Sequence, residues 1–416
     1  MSETLHGKTI LILNTGPHEK RFILERLKEL GLNLVVVNKT KNWAEDCIDH
    51  WVITDNEDHD RALQDIANFM KVHSEIKIGG VMTFWEHDVL LASKLVDKYG
   101  FKGISWKVAN KVRNKYLFRE FCGQHDIPAP KHKLITNEVD LKYVSENFTF
   151  PLVMKPTLGA ASCWVVKIES QADLKKTFEF IKSNINSDEE KFIRESELFV
   201  EEYIDGNEVD MDILIQGGEI RYYSITDNFK TQEPYFVETG QIIPSILSKK
   251  RQNELFVMAK DTLSKLHITD GCMHFEAKSS EHGAVPIEVN LRMGGDEVWS
   301  FVKGAWGCDL VENAAKIALG IDMGEIKRGL KPLTYLMGKY FLPNKSGVLA
   351  YCNLDERVRQ KKYLYDLQLF WKKGDKVMAP PDGYDYLGWV TVKGDNAQEA
   401  ESNMQDAFNH LSYKII

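Results

Sequence analysis

His274-Phe275-Glu276-Ala277-Lys278-Ser279-Ser280-Glu281-His282-Gly283-Ala284-Val285-Pro286-Ile287-Glu288-Val289-Asn290-Leu291-Arg292 reads as two strands folded back on each other. Side chains alternate along a strand, so Glu288, Asn290 and Arg292 share one face while Ile287, Val289 and Leu291 point the other way into apolar packing. A hairpin centred near His282 sets Glu276 opposite Glu288, where cross-strand side chains approach to roughly 5 Å. Two carboxylates that close repel unless a proton or cation lies between them. A hard cation such as Mg²⁺ satisfies both, with Asn290 as a third oxygen ligand and phosphate oxygens filling the octahedron. Arg292, on the same side, can stabilise a transferring phosphoryl group or an oxyanion. On this strand alone a solvated face with a Glu/Arg ion pair remains an equal reading.

Further upstream, Pro151-Leu-Val-Met-Lys155-Pro156 ends an apolar strand on a lysine and runs into Thr-Leu-Gly159-Ala-Ala-Ser162. Small residues let backbone N–H groups approach an anion, so Lys155 and this loop form a candidate phosphate clamp. Between clamp and hairpin lies Phe199-Val-Glu201-Glu202-Tyr203-Ile204-Asp-Gly206-Asn-Glu208, by composition a strand and a turn.

The chain has 416 residues, 43% hydrophobic and 27% charged, which is globular composition in two to four compact units. A formal charge of -8 argues against nucleic acid as the main partner. The six cysteines are scattered with no C-x-x-C pair, the N-terminus carries no import signal, and no apolar run approaches a bilayer span, so the expected setting is cytoplasmic, with no membrane partner.

Four apolar runs near Thr9–Asn14, Leu34–Val37, Trp51–Thr54 and Ile78–Thr83 alternate with helical patterns and predict a parallel α/β sheet over residues 1–105. The turn after the first has one glycine, too few for a dinucleotide fingerprint. Trp106 to His125 reads as one helix, stopped by Ile127-Pro-Ala-Pro130, and gives a linker over 106–130. Beyond it the texture is α+β: short strands and hairpins, a charged stretch Ser187-Asp-Glu-Glu-Lys191, and a last piece from 331 with strands at Tyr335–Phe341 and Leu387–Val392 and a closing helix near Ala397–Leu411.

In this order and spacing the lysine, small-residue loop, E-E-Y-x-x-G-x-E hinge and E…E-x-N-x-R strand resemble the ATP-grasp superfamily, from about residue 5 to the C-terminus. The resemblance implies an N-terminal α/β pre-ATP-grasp domain, a two-lobed ATP-grasp fold with a small lobe at 131–203 and a large lobe at 204–330, and a C-terminal α+β domain at 331–416. Lys115 and Lys155 then correspond to the phosphate lysines and Gly159 to Ser162 to the phosphate loop. Glu201, the Glu202 carbonyl and the Ile204 amide correspond to the adenine contacts, Glu208 to the ribose contact, and Glu276, Glu288 and Asn290 to the metal ligands. The loop departs from the family pattern at Cys163-Trp164, where a second glycine and a small residue are usual.

Within the superfamily, Gly79-Gly80-Val-Met-Thr83 with Glu86, Tyr235-Phe-Val-Glu238-Thr-Gly240, and Arg292-Met-Gly294-Gly295-Asp296 resemble the L-amino-acid ligases and carnosine-synthase-type enzymes. That implies ATP, Mg²⁺ or Mn²⁺ as two ions, and amide formation between amino acids through an acyl phosphate, with Arg292 and Lys155 catalytic. His274, Glu238, Gly294, Gly295 and Trp306 are the candidate substrate contacts. A carboxylase or nucleotide-biosynthesis ligase, and a non-catalytic ATP-binding regulator, are the alternatives; a homodimer is left open.

Overall fold

The computed structural model describes residues 4–416 except 161, 188–190, 296, 327–328, 330 and 381. The stretch 187–191 therefore falls largely outside the described residues. Strands β1 (Thr9–Leu13), β2 (Asn33–Asn38), β3 (His50–Ile53) and β4 (Ile78–Thr83) form a parallel sheet in the order β3-β2-β1-β4. Its strands are apolar on both faces because both are covered: Ile10, Ile12, Leu34 and Val36 enter one core, and Leu11, Leu13, Val35 and Val37 another. On β4, a Cβ at Gly80 would stand 2.2 Å from the Ala318 carbonyl, so this glycine lets the sheet meet the helix Leu310–Ala318.

The expected helix Trp106–His125 is two helices, Trp106–Arg113 and Lys115–Gln124. Asn114 leaves helical geometry (φ -87, ψ 108) and its side chain accepts from the Leu117 N–H as an N-cap, which starts a new helix and turns its first residue, Lys115, inward.

The strands β5 (His132–Ile135), β6 (Leu152–Pro156), β7 (Val166–Ile168) and β8 (Leu198–Glu202) form an antiparallel sheet ordered β5-β8-β6-β7. Helices Glu138–Asn147 and Gln171–Asn184 back it through Val144, Leu174 and Phe178, which pack on Leu152, Met154 and Val200.

The remaining strands are β9 (Asn207–Gln216), β10 (Glu219–Asn228), β11 (Gly240–Ile243), β12 (Gly271–Ser280), β13 (Gly283–Asn290), β14 (Tyr335–Phe341), β15 (Gly347–Leu354), β16 (Leu364–Leu369), β17 (Lys376–Val377), β18 (Gly388–Gly394) and β19 (Leu411–Ile415). Eight of them make one sheet, ordered β13-β12-β9-β10-β11-β14-β18-β16. The C-terminal piece thus extends the large-lobe sheet through the β11–β14 pair, Gln241 against Gly338, and adds a three-stranded sheet β17-β15-β19. The closing helix stops at Asn409 and the chain ends on β19. Among the described residues no helix is long and apolar enough to cross a membrane.

Candidate active site

The floor of the site is the β12–β13 hairpin. Ser280 pairs with Gly283, so the turn is the two residues Glu281-His282, and a one-residue bulge between Glu276 and Ala277 brings Glu276 opposite Glu288. The bulge takes up Ile287, which lines the cavity instead of following Val289 into the apolar core; its carbonyl accepts from Arg119 Nη1 at 2.9 Å. On the neighbouring strand Asp210 pairs with Glu276, so Asp210, Glu276 and Glu288 stand in a row across three strands, with Asp212, His274 and Asn290 in the next row.

Burial sets the charges here. Burial, with Glu288 and Asp210 nearby, pushes the Glu276 carboxyl up to about 8, and Asn290 Nδ2 donates to its Oε1 at 2.9 Å. Burial works the same way on Glu288, but Lys115 Nζ, 2.8 Å from Oε1, overrides it and keeps the carboxyl below its usual range. The donor set is two carboxylates and an amide, which fits a hard cation that draws its other ligands from phosphate and water. Among the described residues no three His, Cys, Asp or Glu side chains converge into a closed cage.

His274 is held elsewhere. Burial would lower its pKa, yet Asp210 and Asp212 raise it to about 10, with Nδ1 2.9 Å from Asp212 Oδ1 and Nε2 3.7 Å from Asp210 Oδ2. The expected substrate contact is a buried imidazolium behind the cavity wall. Gly294 packs over it, since a Cβ there would stand 2.6 Å from His274 Nδ1. Gly295 does not line the cavity, position 296 lies outside the described residues, and Trp306 packs into the core under the N-terminal sheet.

Above the floor a cavity encloses about 990 Å³, part of it open to solvent. Lys115, Lys155, Gly159, Ser162, Glu201, Ile204, Glu208, Glu238, Glu276, Glu288, Asn290 and Arg292 all line it. Lys115 Nζ also donates to the Gly159 carbonyl at 3.2 Å, and Arg113 Nη1 does so at 3.1 Å. Lys155, whose pKa burial lowers, stands one residue before the end of β6 with Nζ on Glu201, and Arg119 Nε lies 2.7 Å from the other Glu201 oxygen. Burial opposes ionisation of Glu201, but the two cations hold its carboxyl at about 2. With both oxygens engaged, the Glu201 side chain positions Lys155 instead of reaching outward as an adenine contact would. Glu202 turns its side chain to the Thr149 N–H at 3.0 Å, outside the cavity, while Tyr203 lines it.

In the loop, Ser162 and Trp164 take positive φ (53 and 62), the region that favours glycine. The Trp164 ring packs 6.1 Å from Phe180, so at this departure from the family pattern the loop is anchored to the small-lobe core.

Arg292 Nε lies 2.9 Å from Glu86 Oε2, and Arg113 Nε 3.0 Å from Glu86 Oε1, so one N-terminal carboxylate holds two arginines at the cavity edge. The loop between β10 and β11 closes the front: Lys167 N–H donates to the Pro234 carbonyl at 2.8 Å, and Tyr203 Oη to Glu233 at 3.0 Å.

Sequence reasoning missed Arg113, Arg119, Asp210, Asp212 and Lys278. The signals were present: two arginines flanking Lys115 among buried apolar positions, and acids alternating with apolar residues in Val209-Asp-Met-Asp-Ile213.

A nucleotide-sized cavity between an antiparallel lid sheet and a large sheet, with lysines above and paired carboxylates below, is the ATP-grasp arrangement. The ATP-grasp domain family matches residues 148–299, and L-amino acid ligase C-terminal domain 2 matches residues 339–415, so the chain carries both. The crystal structure of an L-amino acid ligase from Bacillus licheniformis superposes with a TM-score of 0.87 over 99% of this chain and 100% of that one, at 22% identity. Carnosine synthase 1 of Homo sapiens is 23% identical over 76% of this chain, which spans 40% of that relative's length. The L-arginine-specific L-amino acid ligase of Bacillus subtilis is 21% identical over 88% of each chain.

Proposed function

We propose that the chain is an ATP-dependent carboxylate–amine ligase that joins amino acids through an acyl phosphate and releases ADP and phosphate. The observation that carries this reading is the cross-strand Glu276–Glu288 carboxylate pair, flanked by Lys115 and Arg292 in one cavity. Two of the relatives named above are L-amino acid ligases by their names, which supports amino acids as the substrates.

Glu276, Glu288 and Asn290 would hold Mg²⁺, as one or two ions, and the metal would supply charge neutralisation at the phosphates. Lys115 and Lys155 orient the phosphate chain, and Glu208 and the 201–204 backbone receive ribose and adenine. A substrate carboxylate oxygen attacks the γ-phosphorus, the bond to the bridging oxygen breaks, and ADP leaves. The amine nitrogen then attacks the acyl carbon, phosphate leaves with the bonding pair, and the amine proton passes to solvent. Arg292 faces the negative charge of both the acyl phosphate and the tetrahedral adduct, so positioning and charge account for the chemistry without a side-chain nucleophile.

Glu288→Gln tests the assignment. It is expected to lower ADP release at least about 100-fold while the melting curve stays cooperative. Unchanged ADP release excludes Glu288 as a ligand, and release driven by bicarbonate instead of amino acids favours the carboxylase reading.

A further inference from the structure

Arg113 and Lys115 bring their charges to one point from either side of the helix break. Side chains two positions apart on a continuous helix do not face each other. Because the helix Trp106–Arg113 stops and a new one starts at Lys115, both reach the Gly159 carbonyl, Arg113 Nη1 at 3.1 Å and Lys115 Nζ at 3.2 Å. Like charges that close need counter-charges, and each has one: Glu86 Oε1 lies 3.0 Å from Arg113 Nε, and Glu288 Oε1 2.8 Å from Lys115 Nζ. The contacts form a chain, Glu86–Arg113–Gly159–Lys115–Glu288, which runs from the end of the N-terminal sheet through the phosphate loop to the floor of the cavity.

The two cations are not equivalent. Lys115 lines the cavity, and in the ligase reading a phosphate draws its ammonium away from Gly159. Arg113 does not line the cavity, and its side chain is only 4% exposed, so its guanidinium keeps the loop carbonyl when Lys115 turns to the nucleotide. A planar guanidinium with donors in a fixed fork can hold Glu86 and Gly159 together, whereas an ammonium is a point charge. Glu86 passes the hold on, because its other oxygen, Oε2, lies 2.9 Å from Arg292 Nε.

We infer that Arg113 is a positioning residue that sets the phosphate loop, through Gly159, against Arg292, through Glu86. The inference rests on the ligase reading and adds the group that aligns phosphoryl transfer with amide formation. Without Arg113 the loop and Arg292 take their places independently, and a misplacement of about 1 Å at reacting groups can cost on the order of 100-fold in rate. Acyl phosphate formed out of line with the amine is open to water, which attacks it, regenerates the carboxylate and frees phosphate. ATP is then consumed without a dipeptide.

The test measures binding of Mg-ATP and of AMP by calorimetry for the unaltered chain, Arg113→Lys and Arg113→Met, and then ADP per dipeptide with the amino-acid pair that the unaltered chain joins best. AMP lacks the β- and γ-phosphates and so does not depend on the loop. Arg113→Met is expected to weaken Mg-ATP binding about tenfold or more while AMP binding changes by less than about twofold, and to raise ADP per dipeptide above one. Arg113→Lys, which keeps the charge but not the fork, should recover part of both. Should Arg113→Met not melt cooperatively, Arg113→Lys carries both readouts and is expected to fall short of the unaltered chain in each. Equal losses of Mg-ATP and AMP binding mark a general packing role and overturn the inference, as does unchanged Mg-ATP affinity or a ratio that stays at one. If the unaltered chain makes no dipeptide from any pair, the ligase reading fails, and the two affinities alone decide whether Arg113 holds the loop.

Discussion

Glu276 and His274 lie two residues apart on one face of β12, and the fold raises both, the carboxyl to about 8 and the imidazole to about 10. Unfolded, they titrate near about 4.3 and 6.5. Between its unfolded and folded values each group binds more protons in the folded chain than in the unfolded one. Their contribution to stability is therefore full below the unfolded values and is lost as pH rises toward about 8 for Glu276 and about 10 for His274. The nucleotide-free protein is expected to melt lower at about pH 8.5 than at about 6.5, with Mg-ATP narrowing the gap because a cation replaces the Glu276 proton. A melting temperature that climbs across that range contradicts the assignment. Arg119 gives a second prediction at this scale: Arg119→Met strips Glu201 of one of its two cations, and breaking a buried pair is expected to cost about 3 kcal/mol or more in urea unfolding.

Elements position these residues, and the break at Asn114 is the sharpest case. Asn114→Ala removes the cap, which should cost about 1 kcal/mol of stability. It also loosens the turn that aims Lys115 at Glu288, so ATP affinity should fall measurably by calorimetry; unaltered affinity would mean that the helix start does not set the lysine. Nothing in the sequence marked this break strongly, since buried apolar positions run through it from Val112 to Phe118 and Phe121. The N-terminal sheet was legible because its strands are continuous apolar runs covered on both faces, and the β12–β13 hairpin because its polar residues alternate. The opposition of Glu276 and Glu288 was read correctly, although the turn is centred half a residue earlier and the bulge at Ile287 makes up the difference; Pro286, directly before it, is the local signal, since a proline inside a strand marks an edge or a bulge. The partners of the Glu201 side chain went unread because they come from β6 and from the helix Lys115–Gln124, a pairing the linear pattern does not carry. Strands β15, β16 and β19 went unread because each is only partly buried, with exposed residues mixed along its length.

At the scale of the whole molecule, the C-terminal strands are structural to the large sheet. β14 covers the open edge of β11, and Met337, Val390 and Val392 share a core with Ile242. Removal of residues 331–416 exposes that strand edge and core, so the shortened chain is expected to lose cooperative unfolding and to aggregate. A soluble, cooperatively melting fragment would show that the large sheet closes without them. The small antiparallel sheet is tied to the rest through the β10–β11 loop and Tyr235, whose ring meets Tyr384 at 6.1 Å, so this loop touches the C-terminal piece as well. The most direct measurement is phosphate and ADP release across a matrix of amino-acid pairs, with mass spectrometry of the product. The account predicts ADP, phosphate and dipeptide in equal amounts for particular pairs; absence of any dipeptide across the matrix, with or without ATP hydrolysis, would contradict it.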